Sequence, residues 1–91
     1  MIYKFVMSET AKKQMAKLDK YTQKQIQKYI NTKILNTKNP KQFGKSLERD
    51  LKGLWKYRIG DYRLVCYIDD NVFEILAIKV GHRRYIYPSS K

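Results

Sequence analysis

The feature that most constrains the fold is a series of strand-like segments in the second half of the chain, separated by two short turns. Residues 54–59 alternate basic side chains with apolar or aromatic ones, which is the pattern of a half-buried strand. Further strands are predicted at 62–68 and 72–80, after turns at Gly60-Asp61 and Asp69-Asp70-Asn71. Connections this short join neighbouring antiparallel strands, so the segment predicts a three-stranded meander.

The first half of the chain has helical periodicity, after a short apolar strand at residues 2–7. Ser8 is a good N-cap for a first helix. A second helix is predicted to start near Thr22 and to end at Asn39-Pro40, because proline cannot continue the hydrogen-bonding pattern. The predicted apolar positions of the two helices are Ala11, Met15, Leu18, Ile26, Tyr29, Ile30 and Ile34.

The order of these elements predicts an α+β fold: a strand, two N-terminal helices and a three-stranded antiparallel meander, with the helices packed on one face of a small sheet. Residues 1–91 are expected to form a single domain, because a chain of 91 residues builds one modest core. Gly81 is predicted to end the last strand, and a helical turn is predicted around 47–51. Strand alternation places Lys56, Arg58 and Arg63 on the open face of the sheet.

The chain is strongly basic, with 20 lysines and arginines against eight acidic residues and a formal net charge of +12. Up to Lys45 it has eleven lysines and no arginine, and all five arginines follow. Lysine is a mobile, hydrated charge, whereas arginine holds planar anions in a fixed geometry. The composition therefore predicts a polyanionic partner, and the second half is where an anion is expected to be held.

The composition also bears on compartment and cofactors. No apolar run is long enough to span a bilayer, and the first residues do not resemble a secretory signal, so a cytoplasmic protein without a membrane partner is expected. One histidine and one cysteine make no metal-ligand cluster, and Cys66 lies in an apolar strand where an inert thiol is expected. The four glycines lack the spacing of a phosphate-binding loop. No metal or small-molecule cofactor is therefore expected.

The remaining polar groups suit an RNA substrate. Hairpin geometry brings Arg58 near Arg63, and the end of the last strand is expected to bring His82 and Arg83 to the same region. Arginines can hold a phosphate, histidine can move a proton, and a tyrosine ring can stack on a base. Simpler roles stay open: His82 as a solvated turn residue, Arg63 paired with an aspartate, and a C-terminal tyrosine capping the core. The residues alone predict a basic α+β domain that binds RNA.

Ordered motifs make the chain similar to the RelE family of bacterial toxins, within the RelE/ParE toxin–antitoxin superfamily. They are Leu-X-Gly-Leu-Trp at 51–55, Tyr-Arg-X-Gly-Asp-Tyr-Arg at 57–63, Gly-His-Arg-Arg at 81–84 and Tyr87. The resemblance implies a type II toxin that cleaves mRNA in the ribosomal decoding site. The 2′-hydroxyl attacks the adjacent phosphate without a metal ion and leaves a cyclic phosphate and a 5′-hydroxyl end. It also implies a cognate antitoxin protein, with mRNA and the ribosome as further partners.

The resemblance implies roles for individual residues as well. Lys56 and Arg58 match the basic pair of the first meander strand, and Arg63 matches the arginine that holds the phosphate. Arg83 matches the arginine that supports the phosphate and the leaving oxygen, and Tyr87 matches the tyrosine that stacks on the substrate base.

The chain departs from the family's pattern at the proton-moving position. Arg58 and His82 stand where the best-known pattern has lysine. Arginine does not give up its proton in proteins, so His82 or Lys56 is expected to move the proton while Arg58 holds charge.

Two other functions remain open. The ParE branch of the superfamily shares the fold and inhibits DNA gyrase without an RNA-cleaving site. A non-catalytic module such as a double-stranded-RNA binder would carry a terminal helix after the sheet, and only ten residues follow Gly81 here. The presence of Arg63, Arg83 and Tyr87 favours the RelE branch.

Overall fold

The structure, a computed structural model, describes residues 3–46 and 53–86. A strand and two helices come first, and α2 continues through a π-helical turn. Four more strands and a short third helix follow. Their bounds are β1 Lys4–Met7, α1 Glu9–Ala16, α2 Lys20–Tyr29, the π-helical turn Ile30–Ile34, β2 Lys45–Ser46, β3 Leu54–Ile59, β4 Tyr62–Asp69, β5 Glu74–His82 and α3 Arg83–Ile86.

The five strands form one sheet in the order β1-β5-β4-β3-β2. β1 lies parallel to β5, with Phe5 opposite Ile75, and the other neighbouring strands are antiparallel. The helices follow β1; α1 packs against β5 and α2 against β3. The predicted α+β fold, with a strand, two helices and a three-stranded antiparallel meander, is therefore confirmed.

The core lies between the helices and one face of the sheet. The predicted helical stripe is buried at Ile26, Ile30 and Ile34, and Tyr29 packs partly buried beside it. The sheet contributes alternate residues of β3 and β4, such as Leu64 and Cys66, while in β5 the alternation shifts at a bulge between Ala77 and Val80. The sheet face that carries Arg63 is therefore the face that points away from both helices.

The first helix begins as predicted. The Ser8 side chain accepts a hydrogen bond from the Ala11 backbone N–H at 3.0 Å, so it is the N-cap of α1. α2 begins earlier than the predicted start near Thr22. The Asp19 carboxylate accepts from both the backbone N–H and the hydroxyl of Thr22, so the helix begins at Lys20.

The predicted end of the second helix is wrong. The helical path ends at Ile34, where the Leu35 N–H donates to the Ile30 carbonyl across the π-helical turn. Pro40 lies beyond that end, and its carbonyl accepts a hydrogen bond from the buried Tyr57 hydroxyl. β2 and α3 were not predicted, because elements of two and four residues are too short to show a period. The helical turn predicted around 47–51 lies outside the described residues.

β5 differs from the predicted strand at both ends. It begins at Glu74 rather than at residue 72, because Phe73 has a positive φ of 53° and turns the chain just before it. It does not end at Gly81, because Gly81 is the register partner of Arg63 and the ladder continues to His82. This extension decides which face His82 occupies.

Two glycines of the predicted motifs are required by the backbone. Gly53 has a φ of 82°, and a Cβ there would lie 2.5 Å from the Tyr67 ring. Gly60 has a φ of 61° in the turn between β3 and β4, where a Cβ would meet nothing closer than the Gln25 side chain at 3.9 Å. At Gly60 the constraint is therefore conformational rather than one of space.

Candidate active site on the open face of the sheet

A basic pocket lies on the sheet face that points away from the helices. It is a cavity of ≈ 310 Å³ lined by Phe43, Lys45, Lys56, Arg58 and Arg63. The strand register explains the convergence, because Lys45 pairs with Lys56 across β2 and β3, and Arg58 pairs with Arg63 across β3 and β4. We call this cavity the active-site pocket. Three of the predicted site residues, Lys56, Arg58 and Arg63, are thus brought together.

Arg63 is held differently from a surface arginine. It is only 7% exposed, and its Nη1 donates to the Gly60 carbonyl at 3.0 Å and to the Tyr62 carbonyl at 2.9 Å. The guanidinium is therefore fixed against the β3–β4 turn. Arg58 is exposed and stands directly across the hairpin.

The same turn also holds the backbone at Arg83. The Arg83 N–H donates to the Asp61 carbonyl at 2.8 Å, where α3 begins. Three successive carbonyls, of residues 60, 61 and 62, thus bind either the Arg63 side chain or the Arg83 backbone. The Arg83 side chain is exposed, and it is not among the described residues that line the active-site pocket.

His82 is not brought into the active-site pocket. It is the register partner of Tyr62, and the two rings meet edge to face with centroids 5.5 Å apart. It lines a separate cavity of ≈ 470 Å³ together with Gln14 of α1 and Lys17 at the end of that helix, on the helical side of the sheet. The expectation that His82 joins the arginines is wrong, because Gly81 faces Arg63 and the next residue points to the opposite face.

The His82 ring has a further contact that sets its orientation. Its Nδ1 accepts a hydrogen bond from the Arg84 backbone N–H at 3.3 Å. Tyr87, the predicted stacking residue, lies outside the described residues.

Sequence reasoning missed Phe43 and Lys45, which line the active-site pocket. Phe43 is 48% exposed, and the Lys33 ammonium lies 4.9 Å from its ring centroid. The available signal was an aromatic residue in the otherwise polar segment after Pro40. That segment was interpreted as a connection, because the two-residue strand β2 has no visible period.

Two groups considered in the sequence have clear structural positions. Cys66 is fully buried in the core, and burial raises the pKa of its thiol to about 12, so it is an inert core residue. Across residues 3–46 and 53–86, no three histidine, cysteine, aspartate or glutamate side chains lie together as metal ligands would. No helix in that same part of the chain is long and apolar enough to cross a membrane.

Comparisons with known proteins identify the family of this chain. The family described as the ParE toxin of type II toxin-antitoxin systems, parDE, matches residues 5–87. The chain belongs to the RelE/ParE superfamily of type II toxins. Among curated relatives, Toxin RelE of Mycobacterium tuberculosis is 32% identical over 85 residues, which are 93% of this chain and 86% of that protein. Toxin RelG of the same organism is 39% identical over 51 residues, 56% of this chain and 59% of that protein.

Solved structures of RelE proteins share the fold of this RelE-like toxin. The toxin–antitoxin complex RelBE2 of M. tuberculosis matches with a TM-score of 0.80 and 28% identity, over 91% of this chain and 93% of that one. The intact RelBE complex of Escherichia coli matches with a TM-score of 0.70 over 88% of this chain and 95% of that one. At 22% identity the second match bears on the fold alone.

Proposed function

We propose that this RelE-like toxin is an endoribonuclease that cleaves mRNA in the ribosomal decoding site. The observation that carries the proposal is the convergence of Lys56, Arg58 and Arg63 in one basic pocket on the open sheet face. Such a pocket suits a phosphodiester, because arginines present paired donors to phosphate oxygens. The relatives named as RelE toxins support the same function.

The chemistry is a transfer within the RNA strand. The 2′-hydroxyl oxygen forms a bond to the adjacent phosphorus, the bond from phosphorus to the 5′-oxygen breaks, and the products are a cyclic phosphate and a 5′-hydroxyl end. Negative charge grows on the phosphoryl oxygens as the new bond forms. Arg63, fixed by two carbonyls, and Arg58 across the hairpin stabilise that charge, and a well-placed donor contributes about 3–4 kcal/mol.

Two protons also have to move. Lys56, acting as the neutral amine, is the proposed group that accepts the proton of the 2′-hydroxyl, because it lines the pocket and Arg58 cannot serve as a base. The leaving 5′-oxygen takes up a proton from water, and Arg83 is proposed to stabilise its negative charge until then. Tyr87 is proposed to stack on a substrate base. No metal ion takes part in this scheme.

The ribosome is proposed to orient the substrate. Holding the 2′-hydroxyl in line with the breaking bond removes much of the entropic barrier, and a small open pocket gives little of that alone. We therefore expect weak cleavage of naked RNA and strong cleavage of translated mRNA.

Primer extension in a purified translation reaction tests the proposal. New 5′ ends at decoding-site codons are expected only when the toxin and translating ribosomes are both present. Arg83→Ala is expected to abolish them, whereas the adjacent exposed Arg84→Ala serves as the charge-matched control and should cut normally. Intact mRNA with wild-type toxin would contradict the function.

A cognate antitoxin is the proposed protein partner. Solved relatives include RelE proteins bound to a RelB antitoxin. A net charge of +12 favours an acidic partner by charge complementarity. Expression of the toxin alone should arrest growth, and co-expression of its antitoxin should restore it; growth unaffected by the toxin would contradict this pairing.

Gyrase inhibition is the second candidate function. It is favoured by the match over residues 5–87 to a family described as ParE toxins. A DNA supercoiling assay separates the two functions, since a gyrase inhibitor would block supercoiling and leave mRNA intact.

A further inference from the structure

A second basic cavity lies beside the active-site pocket, and Arg58 lines both. It measures ≈ 310 Å³ and lies between α2, the π-helical turn and the end of β3. We call it the α2 groove, and its polar lining includes Lys28, Thr32 and Lys33. Among the described residues, neither cavity is lined by an acidic side chain. The two cavities therefore form a continuous positive surface around the end of β3.

A side-chain contact joins the two cavities at their border. The Lys33 ammonium, which lines the α2 groove, lies 4.9 Å from the centroid of the Phe43 ring, which lines the active-site pocket. The contact places a cation beside an aromatic ring that is 48% exposed. Cations interleaved with an exposed ring are typical of surfaces that hold single-stranded nucleic acid.

The π-helical turn explains how Lys33 reaches the groove. Ile30 and Ile34, at the two ends of the turn, are both buried in the core. The residues between them lie outside, and the Thr32 hydroxyl donates to the Lys28 carbonyl at 2.8 Å. π-Helical turns are rare and are frequent at functional sites. Here the turn keeps the apolar stripe in the core and sets Thr32 and Lys33 along the groove.

We propose that the α2 groove binds the backbone of the RNA strand that continues from the active-site pocket, with Arg58 contacting phosphates on both sides of the border. The inference rests on the proposed ribonuclease function, because it concerns the path of the same substrate. Lys28 and Lys33 hold phosphates one after another, and Phe43 offers a face to a base at the border. The groove contributes affinity and position rather than chemistry.

Binding of RNA oligonucleotides that lack the attacking hydroxyl tests this path. Fully 2′-O-methylated strands of about three and about twelve nucleotides, within the range of small single-strand sites, would be titrated by fluorescence anisotropy. Lys28→Gln combined with Lys33→Gln removes two groove charges. Lys12→Gln combined with Lys13→Gln removes two exposed charges from α1 and is the matched control.

The groove variant is expected to lose affinity for the long strand only. An exposed ion contact is worth up to about fivefold, so the groove variant should bind the long strand about five- to twentyfold more weakly. Its salt slope should fall by about 1.4, as for two lost phosphate contacts on a single strand. The short strand should bind equally to all variants, and Lys33→Arg, which keeps the charge over Phe43, should bind like wild type.

Three results would overturn the inference. The first is that the α1 control variant weakens RNA binding as much as the groove variant does, which would mean diffuse electrostatic attraction. The second is that the groove variant weakens binding of the short strand as much as binding of the long strand. The third is that the groove variant binds the long strand with wild-type affinity. Failure of the ribonuclease function is distinguished by a different result, namely intact mRNA in the translation reaction with the unmodified toxin.

Discussion

Lys56 and His82 stand on opposite faces of the sheet, although both are candidates to move a proton. Lys56 pairs with Lys45 across β2 and β3 and lines the active-site pocket. His82 packs against the Tyr62 ring and lines the cavity beside α1. The group that accepts the 2′-hydroxyl proton must lie within hydrogen-bond reach of it, so position favours Lys56.

The two residues should therefore respond differently to substitution. Lys56→Gln is expected to lower kcat by about 10²–10⁴, the contribution of general acid–base catalysis. Lys45→Gln removes the same charge from the same pocket and should cost far less. His82→Gln should cut within a few-fold of wild type from about pH 6 to about pH 8, because His82 does not line the active-site pocket. A histidine variant that loses activity as Lys56→Gln does would reverse the assignment.

Cys66 is the second residue with a definite expectation. The Cys66 side chain is buried in the core, and this burial raises the pKa of its thiol to about 12. At about pH 8 the native thiol should remain unmodified by iodoacetamide, because the thiolate is the reactive form. The unfolded chain should react at once. Rapid labelling of the folded protein, followed by mass spectrometry, would contradict the assignment of Cys66 to the core.

At the scale of elements, the β3–β4 turn has two functions. It reverses the chain through Gly60, and its three successive carbonyls anchor the Arg63 guanidinium and the Arg83 backbone. A single turn thereby positions two arginines that the sequence places twenty residues apart. Strand pairing alone would bring Arg63 to the pocket without fixing its guanidinium.

Gly60 substitutions test that coupling. Gly60→Ala is expected to destabilise the fold by about 1–2 kcal/mol, because its φ of 61° is unfavourable for a side chain with a Cβ. Its kcat should fall by about tenfold to a hundredfold as the arginines shift. Gly60→Asn, which tolerates this φ, should recover most of both losses. Thermal denaturation and single-turnover cleavage measure the two effects, and full activity in Gly60→Ala would show that the turn does not position the arginines.

At the scale of the whole molecule, three distant segments meet at Asp70. Its carboxylate accepts from the Tyr3 hydroxyl at 2.7 Å and pairs with the Lys41 ammonium at 2.5 Å. Lys41 also lies 5.2 Å from the centroid of the Trp55 ring. The N-terminal segment, the loop after the helices and the β4–β5 turn are thereby connected at one end of the sheet.

The Asp70 contacts make part of the free energy of unfolding depend on pH in the acidic range. The hydrogen bonds from Lys41 and Tyr3 lower the pKa of the Asp70 carboxyl. A lowered pKa stabilises the fold above the ordinary aspartate value of about 3.9, and this contribution is lost as the pH falls below it. Asp70→Asn should reduce the free energy of unfolding at pH 7 by at most about 1 kcal/mol, since the Asp70 side chain is 52% exposed to solvent, and should flatten the acid branch of the profile. A double-mutant cycle with Lys41→Met measures the interaction free energy between Asp70 and Lys41, and a value of zero would contradict the proposed contribution of the pair.

Local sequence patterns were enough to predict the main helices and strands and part of the candidate site. Capping at Ser8, the helical stripe at Ile26, Ile30 and Ile34, and the two turns at Gly60 and Asp69 all depend on neighbours within a few residues. Alternation along β3 and β4 likewise determined that Lys56, Arg58 and Arg63 share a face. These features were predictable because short-range geometry decides them.

Tertiary structure decided the rest. The parallel pairing of β1 with β5 and the pairing of β2 with β3 join segments far apart in the chain, and nothing local specifies either partner. The ladder that continues through Gly81 turns His82 to the helical face, and the π-helical turn meets the segment before β2 where the Lys33 ammonium lies over the Phe43 ring. The sequence by itself determined the basic α+β fold and the charges it would display. Only the three-dimensional packing decided which of those charges meet in one pocket, because long-range register depends on how the whole sheet and its helices fit together.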